Sequence, residues 1–214
     1  NPIPVKKPKL IILNKELAQN LDLNFESINN SQISLLLSGN YLPKNSNCIA
    51  QAYAGHQFGH FTMLGDGRAI LMGEHINIKN KRCDIQFKGS GRTPFSRNGD
   101  GRATLLSMLR EYLISEAMYG LGIPTTRSLS VVSTGEDIQR EKIYSGGILT
   151  RVASSHIRVG TFQYLSMKGD LKSLEELINY CLKRHFPNTK IDKNNAITLL
   201  KEIRNKQISL IVDW

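Results

Sequence analysis

Along this chain the spacing of hydrophobic positions changes several times, and each change marks an expected element. An extended, proline-rich arm leads into Leu10-Ile11-Ile12-Leu13, after which Asn14 is a good N-cap for a short helix reaching Leu21. A second helix is expected after Ser31, over residues 32–37. Residues 68–78 and 83–88 read as two antiparallel strands joined by the turn Lys79-Asn80-Lys81-Arg82. Because side chains alternate along a strand, Asp84, Gln86 and Lys88 share one face and Ile85 and Phe87 the other. Lys88 is therefore expected to point away from the core that Ile85 and Phe87 enter.

The clearest helical period covers residues 102–119, with Leu106, Leu109, Leu113 and Ala117 on one stripe, Asp100 placed to cap it and Glu111 well off the stripe. Gly120, Gly122 and Pro124 end it. Three strands follow at 128–133, 138–144 and 148–152, the first two linked through Thr134-Gly135-Glu136-Asp137. The remainder reads as helix over 171–184 and 194–214, after the break at Pro187. Between the second helix and the first strand, residues 49–61 hold too many glycines for a long helix and too many aromatics for a free loop. They are expected to form a packed cover over whatever the glycine-rich turns bind. The expected class is α+β: an antiparallel-sheet small lobe with a packed helix, followed by helices.

Composition narrows the function. At 214 residues the chain can bury a sizeable core, and no apolar run approaches the roughly 18–20 residues of a membrane span. Its net charge of +10 invites a nucleic-acid reading, but the basic residues are dispersed and aromatics do not interleave with them. Nucleic acid and membrane are not expected partners. Cys48, Cys83 and Cys181 leave one thiol over in any disulfide scheme, which fits a reducing compartment; a cytoplasmic location is expected, and a mitochondrial one stays open. His56 and His60 have a helical metal-ligand spacing, yet no nearby carboxylate or cysteine completes a set, so no metal site is assigned to them.

The chemistry lies in three basic glycine-rich turns: Leu64-Gly65-Asp66-Gly67-Arg68-Ala69, Lys88-Gly89-Ser90-Gly91-Arg92, and Asn98-Gly99-Asp100-Gly101-Arg102. Glycines let backbone N–H groups approach a phosphate, and adjacent Arg or Lys supplies countercharge, as a nucleoside triphosphate requires. A strand lysine, then a helix glutamate, then further antiparallel strands is also the order of a protein-kinase small lobe, in which the glutamate pairs with the lysine. Gly65-Asp66-Gly67, Lys88 and Glu111 fall in that order.

Beyond this layout the chain resembles the selenoprotein O family of kinase-like protein adenylyltransferases. The resemblance is carried by Tyr53-Ala54-Gly55-His56-Gln57-Phe58-Gly59, the three glycine turns extended to Thr93-Pro94, Gly122-Ile123-Pro124-Thr125-Thr126-Arg127 and Arg151-Val152-Ala153-Ser154-Ser155-His156-Ile157-Arg158. It implies transfer of AMP from ATP to Ser, Thr or Tyr hydroxyls of protein substrates, with Mg²⁺ or Mn²⁺. It also implies nucleotide contacts from Gly65, Gly67, Arg68, Lys88, Asp100, Gly101, Arg151 and Arg158, with Glu111 as the ion-pair partner of Lys88. The implied domains are an N-terminal extension (1–61) on the nucleotide site, a kinase-like N-lobe (62–160) and the start of a helical C-lobe (161–214). The family's catalytic loop, with its aspartate base and its metal ligands, has no counterpart up to Trp214. The chain alone is thus expected to be inactive, with metal ligands beyond Trp214; a non-catalytic, pseudokinase-like nucleotide-binding module is the alternative.

Overall fold

A computed structural model describes residues 1–57 and 59–214. Phe58, part of the first family-like motif, lies outside the described residues. The chain divides into two compact units, the first comprising residues 1–52, 64–121 and 125–157, the second residues 53–63, 122–124 and 158–214.

The first unit is built on an antiparallel sheet. In chain order its strands are β1 (Lys9–Leu13), β4 (Ala69–Ile76), β5 (Arg82–Lys88), β6 (Ala103–Thr104), β7 (Arg127–Gln139) and β8 (Ile143–Ala153), while β2 (Ala54–Gln57) and β3 (His60–Met63) belong to the second unit. They lie side by side as β1-β7-β8-β5-β4, with β6 on β8. Helices α1 (Lys15–Asn20) and α2 (Asn30–Leu37) cover one face: Leu17, Leu21, Ile33 and Leu37 pack with Cys83, Leu129, Val132 and Val152. Helix α3 (Leu105–Gly120) covers the other, where Met108 meets Val131 and Leu149. Asn14 caps α1 through its side chain, as the sequence suggests, and α2 starts two residues before the expected position, behind an Asn29–Gln32 capping box.

Three expectations are corrected. First, the buried stripe of α3 runs through Leu105, Met108, Leu109, Tyr112 and Ser115, whereas Leu106 and Leu113 are 69% and 66% exposed and Ala117 is exposed. Second, Asp100 does not cap α3. Residues 103–104 form β6, and the Thr104 side chain accepts from the Ser107 N–H, so the helix begins later. Third, the stretch from 127 to 153 is two long strands rather than three. Thr134-Gly135-Glu136-Asp137 is an irregularity within β7 where the register to β8 shifts, and the hairpin turn lies at 140–142.

The N-terminal arm is tied down. Ile3 N–H donates to the Ser90 carbonyl, Asn40 brackets Val5 by accepting from its N–H and donating to its carbonyl, and Lys7 N–H donates to the Thr134 carbonyl.

The second unit contains a hairpin of β2 (Ala54–Gln57) and β3 (His60–Met63), with helices α4 (Val159–Met167), α5 (Leu171–His185) and α6 (Asn195–Asp213). The sequence reading missed α4. Its start packs against β2 so closely that a Cβ on Gly160 would strike the Ala54 carbonyl. His56 and His60 sit on neighbouring strands and are exposed, not aligned on a helix face. No helix of the described residues is long and apolar enough to cross a membrane.

Candidate functional site

Strand β5 carries the chemistry. Its polar face is interior rather than solvated: Asp84 and Gln86 are 1% and 0% exposed, and only Lys88, at the strand end, is half-buried. Buried polar groups persist when partnered, and each of these has partners far along the chain. Asp84 accepts from the His156 N–H at 2.8 Å, Gln86 donates to Asp66 at 3.2 Å, and Lys88 Nζ lies 2.5 Å from Glu111 Oε2.

Glu111 is shared. Its second oxygen, Oε1, accepts from Arg151 Nε at 2.6 Å and lies 2.5 Å from Arg151 Nη2. The register that sets Gln86 opposite Arg151 in the β5–β8 pair brings the guanidinium beside Lys88's strand, and α3 delivers the carboxylate from above. Burial pushes the Lys88 pKa down, reinforced by the charge of Arg151 and, less strongly, of Arg68, while Glu111 resists the shift. Burial would raise the Glu111 carboxyl, but Arg151 and Lys88 outweigh it and hold it below its ordinary value. One carboxylate thus faces two cations, and the cluster keeps a surplus positive charge that can meet an anion.

The three glycine turns converge on one another. Gly65 has φ +69°, and a Cβ there would collide with the Phe95 ring, so the turn closes only with glycine. Thr93 Oγ1 and Ser96 Oγ donate to the Asp66 and Gly67 carbonyls, both at 2.6 Å, binding the first turn to the segment that follows the second. Gly101, at φ +69°, presses on the Gly91 backbone, and its carbonyl accepts from the Gly91 N–H, joining the second turn to the third. Arg68 is exposed, and its carbonyl accepts from Gly89 N–H at 2.7 Å.

Lys88, Glu111 and Arg151 therefore form one contact cluster, and Gly65, Gly67 and Gly101 lie in the interlocked turns. Asp100 is engaged elsewhere: its carboxylate takes both Arg140 Nη atoms at 2.8 Å. The Arg140 hydrogen bond is the main cause of its lowered pKa. Arg158 belongs to the second unit, where its guanidinium stacks 4.4 Å over the Tyr53 ring. Sequence reasoning passed over Gln86 and Asp66, although the alternation that placed Gln86 between Asp84 and Lys88 was visible. Among the described residues no group of three His, Cys, Asp or Glu side chains has metal-holding geometry.

An antiparallel sheet whose strand lysine is held by a glutamate on the helix packed across it is the arrangement of a kinase-like N-terminal lobe. Within that class the comparison with known families is specific. A family model described as protein adenylyltransferase SelO matches residues 2–214, and the chain belongs to this family. It is 62% identical to a protein nucleotidyltransferase YdiU of Pelagibacter ubique over all 214 of its residues, which are 44% of that relative's length. Proteins of the same name from Brevibacillus brevis and Nitrosococcus oceani are 57% and 55% identical, and this chain spans 44% and 43% of them.

Proposed function

We propose that this chain is the ATP-binding part of a protein adenylyltransferase, one that moves AMP from ATP to hydroxyl side chains of proteins. The observation that carries the reading is the Lys88–Glu111–Arg151 cluster, which holds two cations on one carboxylate beside three interlocked glycine turns. Lys88 and Arg151 would hold phosphate oxygens, with Arg68 adding charge and the 65–67 and 89–91 backbones lying against the phosphates. Asp100, Gly101 and Arg158 are assigned nucleotide contacts on the family resemblance alone. In the same reading residues 62–160 act as the N-lobe, residues 1–61 as an extension of it and residues 161–214 as the first helices of the other lobe.

The reaction forms a bond from the protein hydroxyl oxygen to the α-phosphorus and breaks the α–β phosphoanhydride. Pyrophosphate leaves, and the hydroxyl proton passes to a base. Lys88 and Arg151 stabilise charge that accumulates on the departing phosphates, a role suited to preorganised cations in a partly desolvated site. A divalent ion, when bound, would add further charge neutralisation. The base and the metal ligands are proposed to lie in polypeptide beyond residue 214, and residues 1–214 by themselves to bind ATP without transferring AMP. A cytoplasmic location is part of the reading, supported by three cysteines held as thiols and by the bacterial relatives.

The test uses α-labelled ATP with the longer protein and with residues 1–214 separately, and γ-labelled ATP as the control for kinase chemistry. Label should reach protein only from α-labelled ATP and only in the longer protein. Transfer of γ-label, or self-modification by residues 1–214, overturns the reading. Nucleotide binding with no transfer by either protein leaves a non-catalytic binding module.

A further inference from the structure

We infer that Gln86 is a positioning residue that couples the first glycine turn to Arg151, so that the two engage nucleotide phosphates as one unit; the inference rests on the ATP-binding reading above. Gln86 is wholly buried at the centre of β5, and both ends of its amide are used. Nε2 donates to Asp66 Oδ2 at 3.2 Å, and Oε1 accepts from Arg151 Nη1 at 3.1 Å. Asp66 is itself 3% exposed and sits between Gly65 and Gly67.

The charges at the two ends fix the amide's direction. Rotated by half a turn, it would set its N–H groups against the guanidinium and its oxygen against the carboxylate, two repulsions in a poorly screened interior. The chain carboxylate–amide–guanidinium is thus a polarised relay with one stable orientation.

The consequence falls on Arg151. A guanidinium has five N–H donors. Glu111 engages Nε and Nη2, and Gln86 engages Nη1, so the plane of the fork is fixed from two sides. One N–H on each of Nη1 and Nη2 remains to meet a phosphate oxygen. Without Gln86, Glu111 holds the fork from one side only, and the Asp66 carboxylate loses the hydrogen bond that ties it to β5. The turn and the arginine then become independent. A core glutamine satisfied for packing alone would make no such link between two phosphate-facing pieces.

The experiment measures binding of ATP, inorganic triphosphate and adenosine to residues 1–214 by calorimetry, in the parent, Gln86→Met, Arg151→Met, the double variant, and Lys88→Met. Methionine keeps the length of glutamine and removes its donor and acceptor. Gln86→Met should weaken ATP and inorganic triphosphate by about 10-fold, leave adenosine within about 2-fold, and cost less than about 2-fold once Arg151 is already methionine, because coupled residues are non-additive. An unchanged ATP affinity, an equal loss of adenosine, or the same penalty in both backgrounds overturns the inference. If Gln86→Met does not fold, Asp66→Asn carries the test: it keeps the acceptor but removes the charge that orients the amide, and should weaken triphosphate about 3-fold only while Arg151 is present. Loss of binding on Lys88→Met with none on Gln86→Met sinks this inference alone. No binding by the parent, or full binding by Lys88→Met, sinks the ATP reading and the inference with it.

Discussion

Helix α3 carries two glutamates little more than one turn apart, and they do opposite things. Glu116, near its C-terminal end, is saturated. Arg127 Nη2 donates to it at 2.7 Å, Ser128 N–H at 2.8 Å and Asn14 Nδ2 at 2.7 Å, and Arg127 is closed over on its far side by the Tyr119 ring. One charge meets one charge, and the pair braces α3 against β7 and the start of α1. Glu111 meets two cations and leaves them a net positive charge at a place where both remain partly exposed, with Lys88 15% and Arg151 17% accessible. Local chemistry is the same at both positions, carboxylate on guanidinium. The stoichiometry differs, and stoichiometry separates a brace from the proposed binding site.

The largest test of that contrast is kinetic. In the longer protein Arg151→Ala should slow AMP transfer by about 10²–10³, the cost typical of losing one preorganised donor to developing charge. Transfer at the parent rate would make Arg151 as structural as Arg127. Next in size is ligand stabilisation. Inorganic triphosphate at about 100 times its Kd should stabilise residues 1–214 by about 2.7 kcal/mol, read as a shift in Tm. Glu116→Gln should keep that increment, and Arg151→Met should lose most of it.

Glu116→Gln should itself destabilise the fold by about 1–3 kcal/mol, since it leaves Arg127 without its countercharge; denaturant melts would show it, with ATP affinity unchanged. A value near zero would mean that the brace is ornamental.

Acid titration gives a smaller and signed effect. Burial raises the Glu116 carboxyl, but Arg127, the Ser128 N–H and Asn14 outweigh it and leave its folded pKa below the ordinary 4.5, as at Glu111. A lowered folded pKa means that the folded state binds fewer protons. The stabilisation is therefore full above about pH 4.5 and is lost as pH falls through the folded value. Stability of the parent should decline below that pH, and Glu116→Gln should decline less steeply. Lys88 has the same sign at high pH from an opposite cause: burial disfavours its charged form and lowers its folded pKa, so stability again rises as pH climbs toward its ordinary 10.5. Smallest of all, Leu113→Ser on the exposed side of α3 should change stability by about 0.5 kcal/mol or less, whereas Met108→Ala on the buried side should cost about 2–5 kcal/mol.

That last pair marks where the sequence was legible. The order of elements, the Asn14 cap and the alternation of β5 could be read from local pattern, because each depends on neighbours within a few residues. The facing of α3 could not. Ranking by hydrophobicity selected Leu106 and Leu113, but the inward face carries Ser115, and it carries Glu111 and Glu116 because Arg151 and Arg127 await them. The same blindness hid that the Asp84–Gln86–Lys88 face, opposite the core of Ile85 and Phe87, is itself interior. A paired polar residue and a hydrated one are indistinguishable until the partner is placed, and the partners here lie up to 72 positions away. Gly135 misled in a different way: its φ of +68° suits a turn, but Lys7 packs against it and the strand carries on through an irregularity. In the candidate site, Lys88 and Arg151 were legible from family-like motifs and Glu111 from the strand-lysine, helix-glutamate order, whereas Gln86 belongs to no motif.

The pinned arm has a consequence for how the molecule is made. Strand β1 pairs with β7 at Lys9↔Ser133, so its one sheet neighbour among the described residues is synthesised some 120 residues later. At roughly 5–20 residues per second, β1 waits on the order of 6–25 s on the ribosome with Leu10 and Leu13 uncovered. The amphipathic α1 and α2 wait with it, since Leu129, Val132 and Val152 of their core have not yet emerged. Among the described strands, the first of this sheet to leave the ribosome is the one that waits longest for a sheet partner.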